Sequence, residues 1–232
     1  MKHLKNTTLV AISSVKLLPT LKSLIYSSKN ISFKSIKFLT SADKEEFSFF
    51  PDYIEHVKIP EINDKDEYSK FVLYELKNYI DTEYLITVQY DGFILNPHVW
   101  NDDWFNYDYI GAPFPPFYVS REDTSRLVRV GNGGFSLRSK KFINAFTELG
   151  LELIRDNLTG IAEDHQQCCI HHESYLKYGI KFAPVEVAKY FSLENFTLTP
   201  EAKKQITSLG FHTCRGYIGE EKYENFFFPI FS

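Results

Sequence analysis

The sequence predicts an α/β fold built on a mostly parallel sheet. An apolar, β-branched segment, Thr7–Ser14, is followed by a helix-like stretch and a second strand-like segment, Ser35–Ser41. This strand, helix, strand order is typical of parallel sheets. A long amphipathic stretch, Asp64–Ile80, then precedes a third buried strand, Leu85–Val88, which repeats the pattern. The 232 residues, 44% of them hydrophobic, suffice for one core of this class.

The helices of the first half have clear local signals. Leu18–Ser28 carries Pro19 in its first turn, where proline is tolerated. Asp64–Ile80 has apolar residues at 3.6-residue spacing and acidic residues at its start, where they suit the helix dipole.

The second half predicts a short strand at 109–112, a strand at 133–139, and helices at 140–149 and 162–179. Ser139 is a candidate N-cap of the first helix, and Gly179 is expected to end the second. The segment 180–194 is expected to be strand-like and irregular. We expect one domain over 1–232, with an aromatic tail at 216–232.

Composition and charge narrow the function classes. The net charge of -4 argues against a nucleic-acid-binding protein, which usually has a strong basic excess. The three cysteines form no CxxC pair, which argues against a zinc knuckle and for a reducing compartment. The apolar run Leu9–Ile12 is too short for a signal peptide, and no segment approaches the roughly 20 apolar residues of a membrane span. We expect a cytoplasmic protein.

A peripheral contact with the inner face of a membrane is left open. The aromatic end of the tail and four N-terminal lysines would favour it, namely Lys2, Lys5, Lys16 and Lys22. The alternative is that the tail packs on the core and the lysines are solvated.

A carboxylate directly follows the third strand, in the sequence Gln89-Tyr90-Asp91-Gly92. In open parallel sheets, ligands bind beyond the carboxyl ends of the strands. An aspartate there is suited to a divalent cation that neutralises a diphosphate. The alternative is an ordinary turn residue beside a permissive glycine.

Three further groups of residues are candidates. The three glycines around Asn132, namely Gly131, Gly133 and Gly134, indicate either a backbone that another group approaches closely or a bulge or tight turn. Their spacing is not that of a dinucleotide fingerprint. The pair Glu163–Asp164 at a helix start is either a cap or a general base. His212 is either a core or surface residue or a metal ligand.

Taken in order, five motifs resemble a family of bacterial and viral GT-A-type glycosyltransferase-like proteins, many known only as a domain of unknown function. The motifs are ITVQYDGFILNP, W...FNYDYIGAPF, VGNGGFSLRS, EDHQQC and FSLE...GFHTC. The resemblance runs from about Thr7 to Arg215.

The resemblance implies transfer of a sugar from a nucleotide-diphosphate sugar, most simply a UDP-sugar, to a hydroxyl of a glycan or lipid-linked acceptor, as in polysaccharide biosynthesis. It implies a divalent cation, Mn²⁺ or alternatively Mg²⁺, bound by Asp91 and His212. Gln89 stands where the family's Asp-x-Asp motif has its first acid.

The resemblance also assigns the remaining roles. Asp164 matches the general base of inverting members, and Glu163 would orient it or bind the acceptor. Seven residues are expected to bind substrate: Ser13, Gln89, Tyr90, Asn132, Gly133, Gly134 and Arg138. A catalytically silent binder of nucleotide sugars or glycans is the alternative. A metal-dependent phosphoesterase is disfavoured, because such enzymes need tight clusters of Asp and His.

Overall fold

The protein is described by a computed structural model over residues 1–114, 130–155, 159–197 and 207–215. The strands are β1 (Lys2–Ile12), β2 (Ile31–Thr40), β3 (Glu55–Lys58), β4 (Tyr84–Val88), β5 (Tyr109–Ile110), β6 (Ser136–Ser139), β7 (Ser192–Thr197) and β8 (Gly210–Arg215). The helices are α1 (Leu17–Ser27), α2 (Lys65–Lys70), α3 (Lys140–Glu148), α4 (Glu163–His165), α5 (His172–Lys177) and α6 (Val185–Phe191). The predicted tail, 216–232, lies outside these residues.

A six-stranded sheet forms the centre, in the order β3-β2-β1-β4-β6-β5. The first four strands are parallel, and β6 pairs antiparallel with both β4 and β5. Helices flank it, and the predicted class, α/β with a mainly parallel sheet, is confirmed. Strands β2 and β3 are added on one side of β1, whereas β4, β5 and β6 are added on its other side. Open α/β sheets bind ligands at such a change of side, here between β1 and β4.

The strands form where apolar runs are buried. In β1 the residues Leu9, Val10 and Ala11 are fully buried, as are Leu85 and Ile86 in β4. The observed β1 begins five residues before the predicted start, because its polar first half still pairs with β2. The short edge strand β3 was not predicted, since an edge strand of four residues carries little hydrophobic pattern.

The helix predicted at 64–80 is interrupted. Asp64 caps α2 by accepting a hydrogen bond from the Glu67 backbone N–H at 2.8 Å, but a π-helical turn follows at Phe71–Glu75 and a 3₁₀ turn at Leu76–Tyr79. The consecutive residues 71–73 are all buried, which a regular amphipathic stripe does not achieve.

The helices of the second half differ in how well they were predicted. Ser139 caps α3 as expected, accepting from the Phe142 backbone N–H at 3.0 Å. The helix predicted at 162–179 is split into α4 and α5 by a π-helical turn at Gln166–Ile170. The prediction of an irregular 180–194 segment was wrong over α6, where Ala188 and Phe191 are buried on one side of a helix.

A two-stranded parallel sheet, β7-β8, brings the end of the described chain to the end of β4. The backbone N–H groups of Leu95 and Asn96 donate to the Leu209 carbonyl, at 2.8 and 2.9 Å, and Ile94 forms a bridge with Gly210. In this register Glu194 lies beside His212. The chain thus returns a histidine and an acid to the carboxyl edge of the central sheet.

Candidate active site

A cleft of about 470 Å³ lies at the carboxyl end of β4. Because β6 runs antiparallel to β4, the glycine-rich segment before β6 reaches the same edge. The lining is Lys65, Tyr68, Gln89, Tyr90, Asp91, Phe114, Asn132, Gly133, Gly134, Thr159, Ala162, Glu163, Asp164, His165, Glu194 and His212. Four separate segments singled out by the sequence therefore meet at one place.

The segment after β4 is a tight turn that presents two side chains. Gln89 and Gly92 exchange backbone hydrogen bonds of 2.8 and 3.1 Å, which leaves Tyr90 and Asp91 at the tip. Asp91 is therefore a turn residue that also lines the cleft.

His212 is held by two partners, Glu194 on β7 and Gln89 in the turn after β4. Its Nδ1 lies 3.0 Å from Oε2 of Glu194 and its Nε2 lies 3.2 Å from Oε1 of Gln89. The Asp91 Oδ1 atom lies 3.9 Å from the same Nε2. Glu194 was not predicted as a site residue, although the FSLE motif contains it. Its place beside His212 comes from the parallel register of β7 and β8, which the sequence alone does not reveal.

The charge of His212 follows from these neighbours. Burial by itself lowers the pKa of the imidazole, but the hydrogen bond and charge of Glu194, with Asp91 and Asp164, outweigh burial and raise the pKa to about 9. Burial raises the pKa of Glu194, which the hydrogen bond to His212 opposes. Glu194 thus acts as the carboxylate behind a histidine, an arrangement common around metal ligands.

The donor atoms beside His212 fit a divalent cation that completes its coordination with substrate. Asp91 Oδ1 is buried and accepts no hydrogen bond within the described residues. Together with Gln89 Oε1, and with His212 Nε2 once the incoming ion has displaced the proton from that atom, it would form a partial set of oxygen and nitrogen donors, as is usual for ions that also bind phosphate oxygens and water. Over the same part of the chain, no three His, Cys, Asp or Glu side chains are grouped to hold a metal.

The glycines leave room for the protein's own side chains. A Cβ atom on Gly134 would lie 2.1 Å from His212 Nε2, and one on Gly133 would lie 2.0 Å from Glu163 Oε1. The close approach inferred from the sequence is therefore made by His212 and Glu163 themselves. Only glycine fits at these two positions.

Asn132 is unusual in backbone and side chain. Among the described non-glycine residues it alone has a positive φ, of 59°, a conformation that stores strain and clusters at functional sites. The residue is 5% exposed and its Nδ2 has no hydrogen-bond partner in the described ranges. The fold thus leaves a buried donor in the wall of the cleft.

The two adjacent acids have different environments. Glu163 is buried and pairs with Arg138 at 3.1 Å; burial and the neighbouring Asp164 raise the pKa of Glu163, against the effect of Arg138. Asp164 reaches the cleft, and its two oxygens accept hydrogen bonds from the backbone N–H groups of Gly133, at 3.2 Å, and His165, at 2.8 Å. Arg138 is fully buried and lies outside the cleft lining.

A second cavity, of about 300 Å³, adjoins the cleft at the end of β1. Its lining includes Ser13 and it shares Gln89 and Tyr90 with the cleft. Lys65 and Tyr68 line both cavities and were not predicted as site residues, because they follow no motif in the sequence.

Residues 53–212 match the family described as Protein of unknown function (DUF5672). The chain belongs to this DUF5672 family. No curated protein matches the sequence of this family member.

Two solved structures match this DUF5672 protein at low sequence identity. The apo-form glycosyltransferase GlyE from Streptococcus pneumoniae TIGR4 has a TM-score of 0.51 and 11% identity, covering 96% of this chain and 60% of its own. The mannosyltransferase PcManGT from Pyrobaculum calidifontis, in complex with GDP-Man and Mn²⁺, has a TM-score of 0.39 and 11% identity. That match covers 69% of this chain and 50% of the PcManGT chain. The likeness to GlyE supports the predicted GT-A-like fold. The DUF5672 chain spans 60% of the length of GlyE.

The described helices of this DUF5672 protein include none long and apolar enough to cross a membrane. The four N-terminal lysines do not share one end of the sheet. Lys2 and Lys5 lie on β1 near its start, whereas Lys16 follows the end of β1 and Lys22 lies on α1.

Proposed function

We propose that this protein transfers a sugar from a nucleotide-diphosphate sugar to a hydroxyl group of a glycan or lipid-linked acceptor. One observation carries the proposal: Asp91, His212 and Asp164 line a single cleft. A second cavity at the end of β1 adjoins it. Two joined cavities of this size suit a nucleotide in one and a sugar in the other.

Asp91 and His212 would hold a divalent cation, Mn²⁺ or Mg²⁺, with Gln89 Oε1 as a third donor. Such a cation stabilises the negative charge that grows on a departing diphosphate. Glu194 keeps the His212 ring oriented by accepting from Nδ1–H, so that Nε2 faces Asp91. The buried Oδ1 of Asp91 gains a partner in this arrangement, which offsets its desolvation.

Asp164 would take the proton from the attacking hydroxyl. Its carboxylate is fixed by two backbone N–H groups. Of the two adjacent acids, Asp164 is the one that pairs with no arginine in the described part of the chain. Glu163, bound to Arg138, is not available as a nucleophile. Among the described residues, the other two carboxylates of the cleft are also engaged, since Glu194 is bound to His212 and Asp91 is assigned to the cation. A single base without a free nucleophilic carboxylate favours inversion at the anomeric carbon, by analogy with inverting glycosidases.

The remaining polar groups would bind the donor. Asn132 offers its unpaired Nδ2 to a sugar hydroxyl or phosphate oxygen, and the backbone of Gly133 and Gly134 allows close approach. Ser13 lines the adjoining cavity, with Gln89 and Tyr90 between the two, where a uridine nucleotide would lie. We further propose a single domain over 1–232 that works in the cytoplasm, with any membrane contact through the tail.

A catalytically silent nucleotide-sugar or glycan binder is the second candidate. The observation that favours it is Gln89, which stands in place of an acid and whose Oε1 lies 3.2 Å from His212 Nε2. In addition, the described residues contain no group of three or more His, Cys, Asp or Glu side chains that could hold a metal ion.

A thermal-shift panel tests both candidates. UDP, GDP, UDP-glucose, UDP-galactose, UDP-N-acetylglucosamine and GDP-mannose are each measured with and without Mn²⁺, since a ligand of the folded state raises its stability. Release of nucleoside diphosphate from any nucleotide sugar that binds is then followed. Binding with turnover supports the transferase, and binding without turnover with every acceptor tried supports the silent binder. No binding rejects the transferase and the nucleotide-sugar binder, and leaves a glycan binder to be tested with glycan ligands.

A further inference from the structure

Arg138 is a fully buried cation directly behind the candidate active site. It lies on β6, and its guanidinium turns back toward the segment before that strand. Its Nε donates to Ser136 Oγ at 3.0 Å, and its Nη2 donates both to the Gly133 carbonyl oxygen and to Glu163 Oε1, each at 3.1 Å. One nitrogen therefore joins the glycine segment to the start of α4.

The two segments joined by Arg138 are those that hold Asp164. Gly133 donates its backbone N–H to Asp164 Oδ2 at 3.2 Å, and Glu163 is the residue that precedes Asp164 on α4. A shift of either segment would move the Asp164 carboxylate within the cleft. The position of Asp164 thus depends on a side chain that does not reach the cleft.

Stability alone gives a poor reason for this arginine. Replacing a buried ion pair with apolar residues of similar volume is often neutral or stabilising, because burial of charge is costly. The Nη1 atom adds to the cost, since it finds no acceptor within the described residues. The guanidinium also requires a glycine at position 133, because a Cβ atom there would lie 2.4 Å from Nη2.

We propose that Arg138 is a positioning residue, which fixes the distance between the glycine segment and Asp164 without touching substrate. The inference rests on the proposed transferase function, where it replaces the expectation that Arg138 binds substrate directly. A planar guanidinium suits this task, because it holds several acceptors in fixed directions, whereas a lysine ammonium does not.

The test compares Arg138→Met with the wild-type protein, using the nucleotide sugar that gives turnover in the panel above. We expect kcat to fall about a hundredfold, as a misplaced base predicts. The KM for the donor and the Kd for UDP or GDP stay within about threefold, because nothing that binds the nucleotide is changed. Arg138→Lys is expected to retain the fold and to recover only part of kcat.

Two further variants keep the test decisive. Arg138→Met/Glu163→Gln removes both buried charges and serves if the single variant does not fold; the same loss of kcat is expected, since residues acting as a unit are not additive. Arg155→Met is the matched control. It removes an arginine that pairs with Asp66 at the surface, and we expect unchanged kcat.

The inference is overturned if a folded Arg138 variant keeps a third or more of the wild-type kcat, or if nucleotide affinity falls as much as kcat/KM. Crystal structures of the wild type and Arg138→Met provide a readout independent of activity. Loss of the hydrogen bond between Gly133 N and Asp164 Oδ2 supports positioning, and its retention overturns it. Absence of turnover in the wild type would instead count against the proposed function.

Discussion

The Nε2 atom of His212 lies 3.9 Å from Oδ1 of Asp91, although Asp91 follows β4 of the central sheet and His212 lies on β8 of the separate two-stranded sheet. This approach depends on Gly134, because a side chain at that position would occupy the space of the His212 ring. The family resemblance assigns both residues to one cation, and the two side chains do lie close together, so the first predictions concern this pair.

Asp91→Asn should remove the effect of Mn²⁺ on nucleotide binding. The amide keeps the shape of the side chain but loses the charge that attracts a cation. We expect the Kd for UDP or GDP with Mn²⁺ to rise about tenfold or more, the low end of what perturbed metal sites show, and the Kd without Mn²⁺ to stay unchanged. Titration calorimetry measures both. Asp103→Asn, an exposed acid outside the cleft lining, is the control and should behave as wild type.

Glu194→Gln should weaken the cation site through His212. Removing the carboxylate takes away the interaction that raises the pKa of His212 to about 9, so the pKa should fall, as NMR titration of the cation-free protein would show. The loss of a carboxylate behind a ligating histidine typically costs 10–100-fold in metal affinity. An unchanged Mn²⁺ affinity would contradict the role assigned to Glu194.

Asp164→Asn should slow turnover strongly and leave donor binding intact. A positioned general base contributes about 10²–10⁴-fold to the rate, so kcat should fall by that factor, while donor KM changes little. The melting temperature should fall modestly, because the Asn side chain accepts only one of the two backbone N–H hydrogen bonds that the carboxylate accepts. Steady-state kinetics and thermal unfolding give the two readouts. Glu173→Gln, at the start of α5 and away from the cleft lining, serves as control. Near-wild-type kcat in Asp164→Asn would refute the base assignment.

Gly134→Ala should displace His212. The added Cβ would lie 2.1 Å from the Nε2 and Cδ2 atoms of the ring, and overpacking of this kind costs about 1–3 kcal/mol. We expect a lower melting temperature together with loss of the Mn²⁺-dependent shift. Gly150→Ala, where no atom lies within 4 Å of the added Cβ but φ is 59°, should lower stability by backbone strain and keep the Mn²⁺ response.

The sequence predicted the parts of the fold that depend on local patterns. The strand at 85–88 and the cap at Ser139 follow from hydrophobic runs and from side-chain chemistry, and both are observed. The π-helical turns and α6 were not predicted, because local propensity does not reveal which consecutive residues tertiary packing buries. Edge strand β3 was missed for the same reason.

The candidate site was predicted as separate motifs and not as a geometry. The sequence indicated Asp91, Asn132, Asp164 and His212, which do line one cleft. It gave no indication that Arg138 is buried behind the site, or that Glu194 lies beside His212. Both facts depend on pairings between distant segments, and a single sequence carries no record of them.

The parallel pair β7-β8 has a consequence for the order of synthesis. Domains begin to fold while the rest of the chain is still being made, and the central sheet is complete once β6 has emerged. Asp91 is then in place, Asp164 follows with α4, and His212 arrives only with β8. A nascent or prematurely terminated chain ending before Gly210 would therefore carry the acids of the site without the imidazole that faces them, and would lack the contacts that His212 makes with Glu194 and Gln89.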